Sequence, residues 1–338
     1  MAAKKGGMRT VGEVLLWWLA RVEGNRATSD SYKRSTRSMV KKNIMPALGR
    51  VSIAKLDRRL LDDKLVWPMA QDGKKAGTQQ KAFQALRQAF LLAEETGRIN
   101  SNPMAALTFK SFHRGAIGSK PASLSRIDLP GLVQQLSENF NSDPVNGLLP
   151  LLMLAHGTRI GETLQAQWSH ISLVERVWVL PELNCKSRRQ HILPLTPQVL
   201  ALLARYRQAL PDARAQIDWV FPVRGGARLS PTSASAMFRS VSGGKWSSHD
   251  LRKLMRDCLA DLGVDFFIGE RLINHSLGKV SETYLTRDVM ERCREALERW
   301  HSRLDECGFS LAHGLDMAVA ASSQITETPE PAGTAANS

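Results

Sequence analysis

The sequence predicts a mainly α-helical chain in two domains, with one small β-hairpin set into the second domain. Three observations carry this reading. Apolar residues recur at i, i+3, i+4 and i+7 through most of residues 10–304. Two short alternating runs, Val177–Leu180 and His191–Leu195, flank the turn-rich stretch PELNCKSRRQ. The length is 338 residues, and about 150 residues per domain argues for two.

The elements follow in order. Residues 1–9 are small and basic and read as a flexible arm. Val11, Val14, Leu15, Trp18, Leu19 and Val22 form one stripe, with Thr10 as N-cap. A second helix starts at Thr28-Ser29-Asp30 and runs to about Ile44, ahead of Pro46. A third runs from about Arg58 to Trp67, ahead of Pro68. The fourth spans about Thr78–Glu95, stops at Gly97 and buries Ala82, Phe83, Leu86, Ala89, Phe90 and Ala93. Residues 10–107 are therefore expected to be a four-helix domain. Over 108–124 the periodicity is lost, and two glycines, a proline, Lys110, His113, Arg114 and Lys120 suggest a basic linker. Helical patterns return near 126–139, 145–157 and 160–167. After the hairpin they continue at about 197–209, 231–241, 249–262, 266–274 and 287–304, so 125–308 reads as the second domain. Residues 309–321 fit a docking segment or a frayed tail, with the tail favoured, and the last dozen residues read as disordered.

Composition narrows the partners. Lys and Arg number 46 against 32 Asp and Glu, a net charge of +14. Such an excess points to a polyanion, and nucleic acid is the commonest. A hydrophobic fraction of 43% excludes wholesale disorder. There is no run of about 18 apolar residues to span a bilayer and no secretory signal. Cys185, Cys258, Cys293 and Cys307 form no CxxC pair, which argues against zinc and for the reduced thiols of a cytoplasmic protein.

Four patterns carry chemistry. They are Gly157-Thr158-Arg159-Ile160-Gly161-Glu162 at a helix start, Lys186 in the hairpin turn, His249-Asp250-Leu251-Arg252 opening a helix, and Asn274-His275-Ser276-Leu277, followed by Tyr284. Around one phosphodiester, Arg159 and Arg252 can hold the two non-bridging oxygens in fork geometry. His249 and His275 add donors or move protons near neutral pH. Lys186, on a turn, can protonate the leaving oxygen, and Tyr284 can attack phosphorus once its phenol is deprotonated.

This set resembles that of the tyrosine recombinase (phage integrase) family, in which Arg, Lys, His-x-x-Arg, His or Trp, and Tyr occur in order. Here they are Arg159, Lys186, His249, Arg252, His275 and Tyr284. Arg159 precedes His249 by 90 residues, Arg252 precedes His275 by 23, and His275 precedes Tyr284 by 9. The stretches GERLINHSLGKVSETYL and ALERW are most like integrases of temperate phages and genomic islands.

The resemblance implies an α+β catalytic domain behind a helical core-binding domain, the two forming a clamp on DNA. It implies strand cleavage through a 3′-phosphotyrosine and a free 5′-hydroxyl, then a Holliday junction, with no metal and no ATP. Glu162 becomes a supporting acceptor behind the arginine and histidine. Implied partners are double-stranded DNA at attachment sites, further copies up to a tetramer, and a directionality factor or host DNA-bending protein. With about ten residues before the first helix, no arm-binding domain is expected. A type IB topoisomerase uses a similar set. Lys33, Arg34, Arg37, Lys41, Lys42, Lys81, Arg87, Lys110, Arg114 and Lys120 are the candidate DNA contacts. Tyr206 reads as packing within an Ala/Leu-rich helix. Tyr32 has no His or Arg motif in step with it, and Cys185 reads as incidental.

Overall fold

The structure is a computed structural model that describes residues 7–118, 121–275 and 287–315. These fall into two compact units divided near residue 120, each with its own apolar core. Both are dominated by helices, and the second also holds a three-stranded antiparallel sheet.

In the first unit, α1 (Val11–Gly24) opens with a capping box in which Thr10 and Glu13 exchange hydrogen bonds. Next come α2 (Asp30–Met39), α3 (Met45–Leu48), α4 (Arg58–Leu61), α5 (Trp67–Gln71) and α6 (Ala76–Glu95). Two of the expected helices do not stop ahead of their prolines. A proline ring presses on the carbonyl four residues back and offers no N–H. Here the chain widens into a π turn over Val40–Ile44 and again over Asp62–Val66, just ahead of Pro46 and Pro68, and helix resumes beyond. The helical runs therefore reach Leu48 and Gln71.

The expected linker also begins later than the loss of periodicity suggests. Phe109 is buried, and its ring lies 5.9 Å from Phe83, with Phe112 at 5.6 Å. Arg58 donates to the Ser111 carbonyl at 2.8 Å. Residues 108–113 thus close the core of the first unit.

The second unit is built around α8 (Pro144–His156), whose residues from Gly147 to His156 are all buried. It lies on α7 (Leu129–Ser142) with so close an approach at Gly147 that a Cβ there would fall 2.4 Å from the Phe140 Cα. After α9 (Ile160–Thr163) comes the sheet: β1 (Ile171–Ser172), β2 (Val177–Leu180) and β3 (His191–Pro194), in the order β1-β2-β3. The expected hairpin pairs Trp178 with Leu193 and Leu180 with His191 on one buried face; β1 extends it. Five helices follow: α10 (Pro197–Ala209), α11 (Asp212–Ala215), α12 (Pro231–Ser242), α13 (Ser248–Asp261) and α14 (Phe266–Leu272). The last two are α15 (Arg287–Asp305) and α16 (Ser310–His313). The segment read as a tail is folded as far as it is described. Phe309 and Ala312 are fully buried, and Arg205 of α10 donates to the Leu311 and Ala312 carbonyls. No helix among the described residues is long and apolar enough to cross a membrane.

The end of α8 is held by side chains from α15. Trp300 donates its indole N–H to the Leu154 carbonyl at 3.2 Å, and His301 Nε2 donates to Ala155 at 2.9 Å. His301 Nδ1 accepts from Thr196 at 2.7 Å, and His156 Nε2 donates to the Pro194 carbonyl at 3.2 Å. Both rings are fully buried, and burial pushes His156 down from 6.5 to about 4 and His301 to about 3. His191, buried on β3, is likewise pushed to about 3 by burial and by Arg271.

The unfolded chain takes up these protons as pH falls through about 6.5; the folded chain does not until far lower. Stability is full above that pH and falls below it. At pH 5 the loss is roughly 2 kcal/mol per histidine. The urea midpoint of the full chain should therefore drop steeply between pH 7 and pH 5, and an unchanged midpoint would refute neutral burial of these rings.

Candidate active site

The site begins where α8 ends. Gly157 caps the helix at φ +59°, and a Cβ there would lie 2.6 Å from Met255 Sδ and 2.9 Å from Ile273 Cγ2. Only a glycine allows this turn. The turn aims the Gly157 carbonyl at α13, where Arg252 donates to it from Nη1 at 2.7 Å. Two residues on, Arg159 caps α9. Its Nη1 donates to Glu162 Oε1 at 3.0 Å and its Nη2 to the Asn274 carbonyl at 3.1 Å. Glu162 is 3% exposed and also accepts from the Lys186 backbone N–H at 3.3 Å, so one buried carboxylate joins the arginine to the hairpin turn.

Arg252 is 2% exposed. Burial, aided by the charge of Arg159, lowers its guanidinium to about 10, so it remains charged at neutral pH. Its Nη2 is buried with no hydrogen-bond partner among the described residues. A charged group so placed is costly unless an anion completes it. His249, three residues earlier on α13, is held below its ordinary value by partial burial, then by Lys253 and Arg252. His275 follows α14, and its Nδ1 lies 2.6 Å from Glu270 Oε2. The other Glu270 oxygen accepts from Arg256 Nε at 2.6 Å. Burial alone would raise the Glu270 carboxyl, but the bonds from Arg256 and His275 outweigh it and the net shift is downward. The Arg256–Glu270 ion pair thus stands behind the His275 imidazole.

Residues 128–290 match the model of the phage integrase family. Over these residues the chain carries a phage integrase family domain. Its class is that of the site-specific tyrosine recombinases of phages and mobile elements. It is 26% identical over 288 residues to the prophage integrase IntA of Escherichia coli K12, covering 84% of this chain and 67% of IntA. Against the prophage integrase IntZ of the same strain the identity is 28%, covering 67% of this chain and 52% of IntZ. The fold matches that of lambda integrase, solved as a tetramer bound to a Holliday junction, with a TM-score of 0.62 and 16% identity over 84% of this chain and 82% of that one.

Within this domain, Arg159, Glu162, the Lys186 turn, His249, Arg252 and His275 come from separate stretches of sequence and gather at the ends of α8, α13 and α14. Lys186 is bound through its backbone and its side chain is exposed. Glu162 partners Arg159 and the hairpin turn; the partner of His275 is Glu270. Tyr284 and Lys120 lie outside the described residues.

Of the other cations named as DNA contacts, Arg34, Lys41, Lys42, Lys81, Arg87, Lys110 and Arg114 are exposed and Lys33 is half-buried. Arg37 differs. Its guanidinium is paired with Glu23, with Nε 2.9 Å from Oε1 and Nη2 on Oε2.

Three residues at the site were not assigned a part from sequence. Glu270 had a faint signal, an acid five residues before a motif histidine. His191, which donates to the Leu272 carbonyl at 3.2 Å and ties the sheet to α14, looks in sequence like any strand residue. Asn274 stands at φ +53°, a conformation that no spacing rule reveals.

Proposed function

We propose that this chain is a site-specific DNA recombinase that integrates and excises a phage or other mobile element. It cuts and rejoins strands through a 3′-phosphotyrosine. The observation that carries this reading is the pair of neighbouring guanidiniums, one of them buried with an Nη2 that has no partner among the described residues. That is the electrostatics of a site completed by a phosphodiester.

In this reading Arg159 and Arg252 bind the two non-bridging oxygens and stabilise the charge that develops on them. His249, neutral at pH 7, accepts or returns a proton, and His275, oriented by Glu270, donates to the same phosphate. The Tyr284 oxygen attacks phosphorus; the P–O5′ bond breaks, and Lys186 gives its proton to the departing oxygen. The free 5′-hydroxyl of a partner strand then displaces tyrosine. No metal and no ATP are needed, because the arginines supply the positive charge and the phosphotyrosine keeps the bond energy.

The partner is double-stranded DNA at attachment sites in a bacterial cytoplasm. Four copies act on two synapsed duplexes, and a directionality factor or host DNA-bending protein sets the outcome. The exposed cations of α2, the π turn after it and α6 hold the duplex backbone.

The decisive experiment uses a nicked duplex spanning the attachment junction of the element that encodes the chain. Cleavage beside the nick releases a short strand and traps the enzyme on DNA, visible as a slowly migrating band on a denaturing gel. Binding without that band would mean a DNA-binding protein rather than an enzyme, and relaxation of any plasmid without recombinant product would mean a topoisomerase. Affinity for the intact duplex should fall with salt at a log–log slope of about −0.9 per phosphate contacted. A flat response would remove the basic surface from the account.

A further inference from the structure

We infer that Asn274 is a positioning residue that couples the arginine grip to the lysine-bearing turn. The inference rests on the proposed reading, in which Lys186 protonates the leaving oxygen, and deepens it. Among the described residues, Asn274 bonds two different parts of the site. Its main-chain carbonyl accepts from Arg159 Nη2 at 3.1 Å, and its side-chain Oδ1 accepts from the Ser187 hydroxyl at 3.3 Å. Ser187 is the residue next to Lys186. The residue after Asn274 is His275, whose backbone N–H donates back to the Glu270 carbonyl at 3.0 Å.

The backbone explains why this residue can serve both neighbours. Asn274 stands in the left-handed region at φ +53°, where non-glycine residues are uncommon and asparagine is the best tolerated of them. That turn ends α14 and presents the carbonyl to Arg159. A glycine would take the same conformation more cheaply, but it would leave Ser187 without its acceptor. The asparagine side chain is therefore the feature that needs a function, and its partner is the turn that carries the acid. Glu162 also holds this turn, through the Lys186 N–H. With both bonds in place, the exposed Lys186 side chain starts from a fixed backbone.

The test separates positioning of the acid from general structure. Asn274→Gly keeps the left-handed turn and the carbonyl to Arg159 but removes the link to Ser187; Ser187→Ala removes the same link from the other end. Each should slow cleavage of the nicked attachment-junction duplex, by between about tenfold, the loss of one hydrogen bond, and about 10²-fold, the loss from a misplaced group. The pair should be non-additive.

The same duplex is then made with sulfur in place of the bridging 5′-oxygen at the cleaved phosphate. The P–S bond breaks to release a thiolate that needs no proton, so a misplaced acid no longer matters. Asn274→Gly and Ser187→Ala should recover most of their loss on this substrate, as should Lys186→Ala. Recovery by Lys186→Ala but not by Asn274→Gly would overturn the coupling while leaving the acid assignment intact. Lack of recovery by Lys186→Ala would overturn the acid assignment itself. Full activity of Asn274→Gly on the oxygen substrate would also overturn the coupling.

Discussion

Tyr284→Phe will bind the attachment-junction duplex with wild-type affinity and form no covalent adduct. The loss should be complete rather than partial, because in the proposed mechanism the substitution deletes the one oxygen that bonds to phosphorus, while binding is assigned to the basic side chains. The chain has three tyrosines, and the other two are committed elsewhere. Tyr206 is 1% exposed and donates its hydroxyl to the Val220 carbonyl at 2.6 Å, and burial raises its phenol further from ionisation. Tyr32 belongs to the first unit and donates to Gln88 at 3.3 Å. A free phenol titrates near 10, so at pH 7 only about one in 10³ is ionised. Attack therefore needs neighbouring positive charge and a base, which the paired guanidiniums and neutral His249 can supply. Peptide mapping of the wild-type adduct should place the DNA on the peptide that contains residue 284. An adduct retained by Tyr284→Phe would remove the nucleophile from the mechanism.

Much of this architecture is legible in the sequence because helices announce themselves by period. The stripe Val11, Val14, Leu15, Trp18 and the cap at Thr10 reappear as α1, and α10 occupies residues 197–209 as the pattern predicts. Where the reading misjudged the fold, tertiary packing had overruled a local rule. Pro46 and Pro68 are helix stops only if the helix must keep one hydrogen-bond register, and a widened turn ahead of each removes that condition. Phe109 and Phe112 stand in a stretch too short to show a period, yet together they close a core. Phe309 sits in an Ala/Ser-rich end whose composition says nothing of the buried place it fills.

The site divides in the same way. Residues whose chemistry is distinctive, the two arginines and the histidines, are visible as types at spacings. The groups that aim them are a carbonyl at Gly157, a left-handed Asn274 and a carboxylate at Glu270. Their contribution is direction, and direction is a property of the folded backbone.

Arg252→Lys should cut cleavage by about 10²–10³-fold, the usual loss of a fixed donor to a developing charge, and leave DNA affinity within a small factor. Lysine keeps the charge, but a single ammonium cannot bond the Gly157 carbonyl and the phosphate as a fork does. Arg159→Lys should be at least as damaging, since Arg159 also serves Glu162 and Asn274. Arg252→Met separates the catalytic from the structural contribution. A guanidinium that is 2% exposed, with one nitrogen unpaired among the described residues, burdens the free protein. Removing a buried charge that the protein itself only partly compensates relieves its desolvation cost, against the loss of one hydrogen bond to the Gly157 carbonyl. Arg252→Met should therefore abolish cleavage while unfolding at the same or a higher temperature than wild type. A large fall in Tm would mean that Arg252 pins α13 to the end of α8 as a structural tie. In that case the unpaired nitrogen would no longer argue for an anion. An unchanged or raised Tm beside dead chemistry is the signature of a charge held in place for the phosphate it binds.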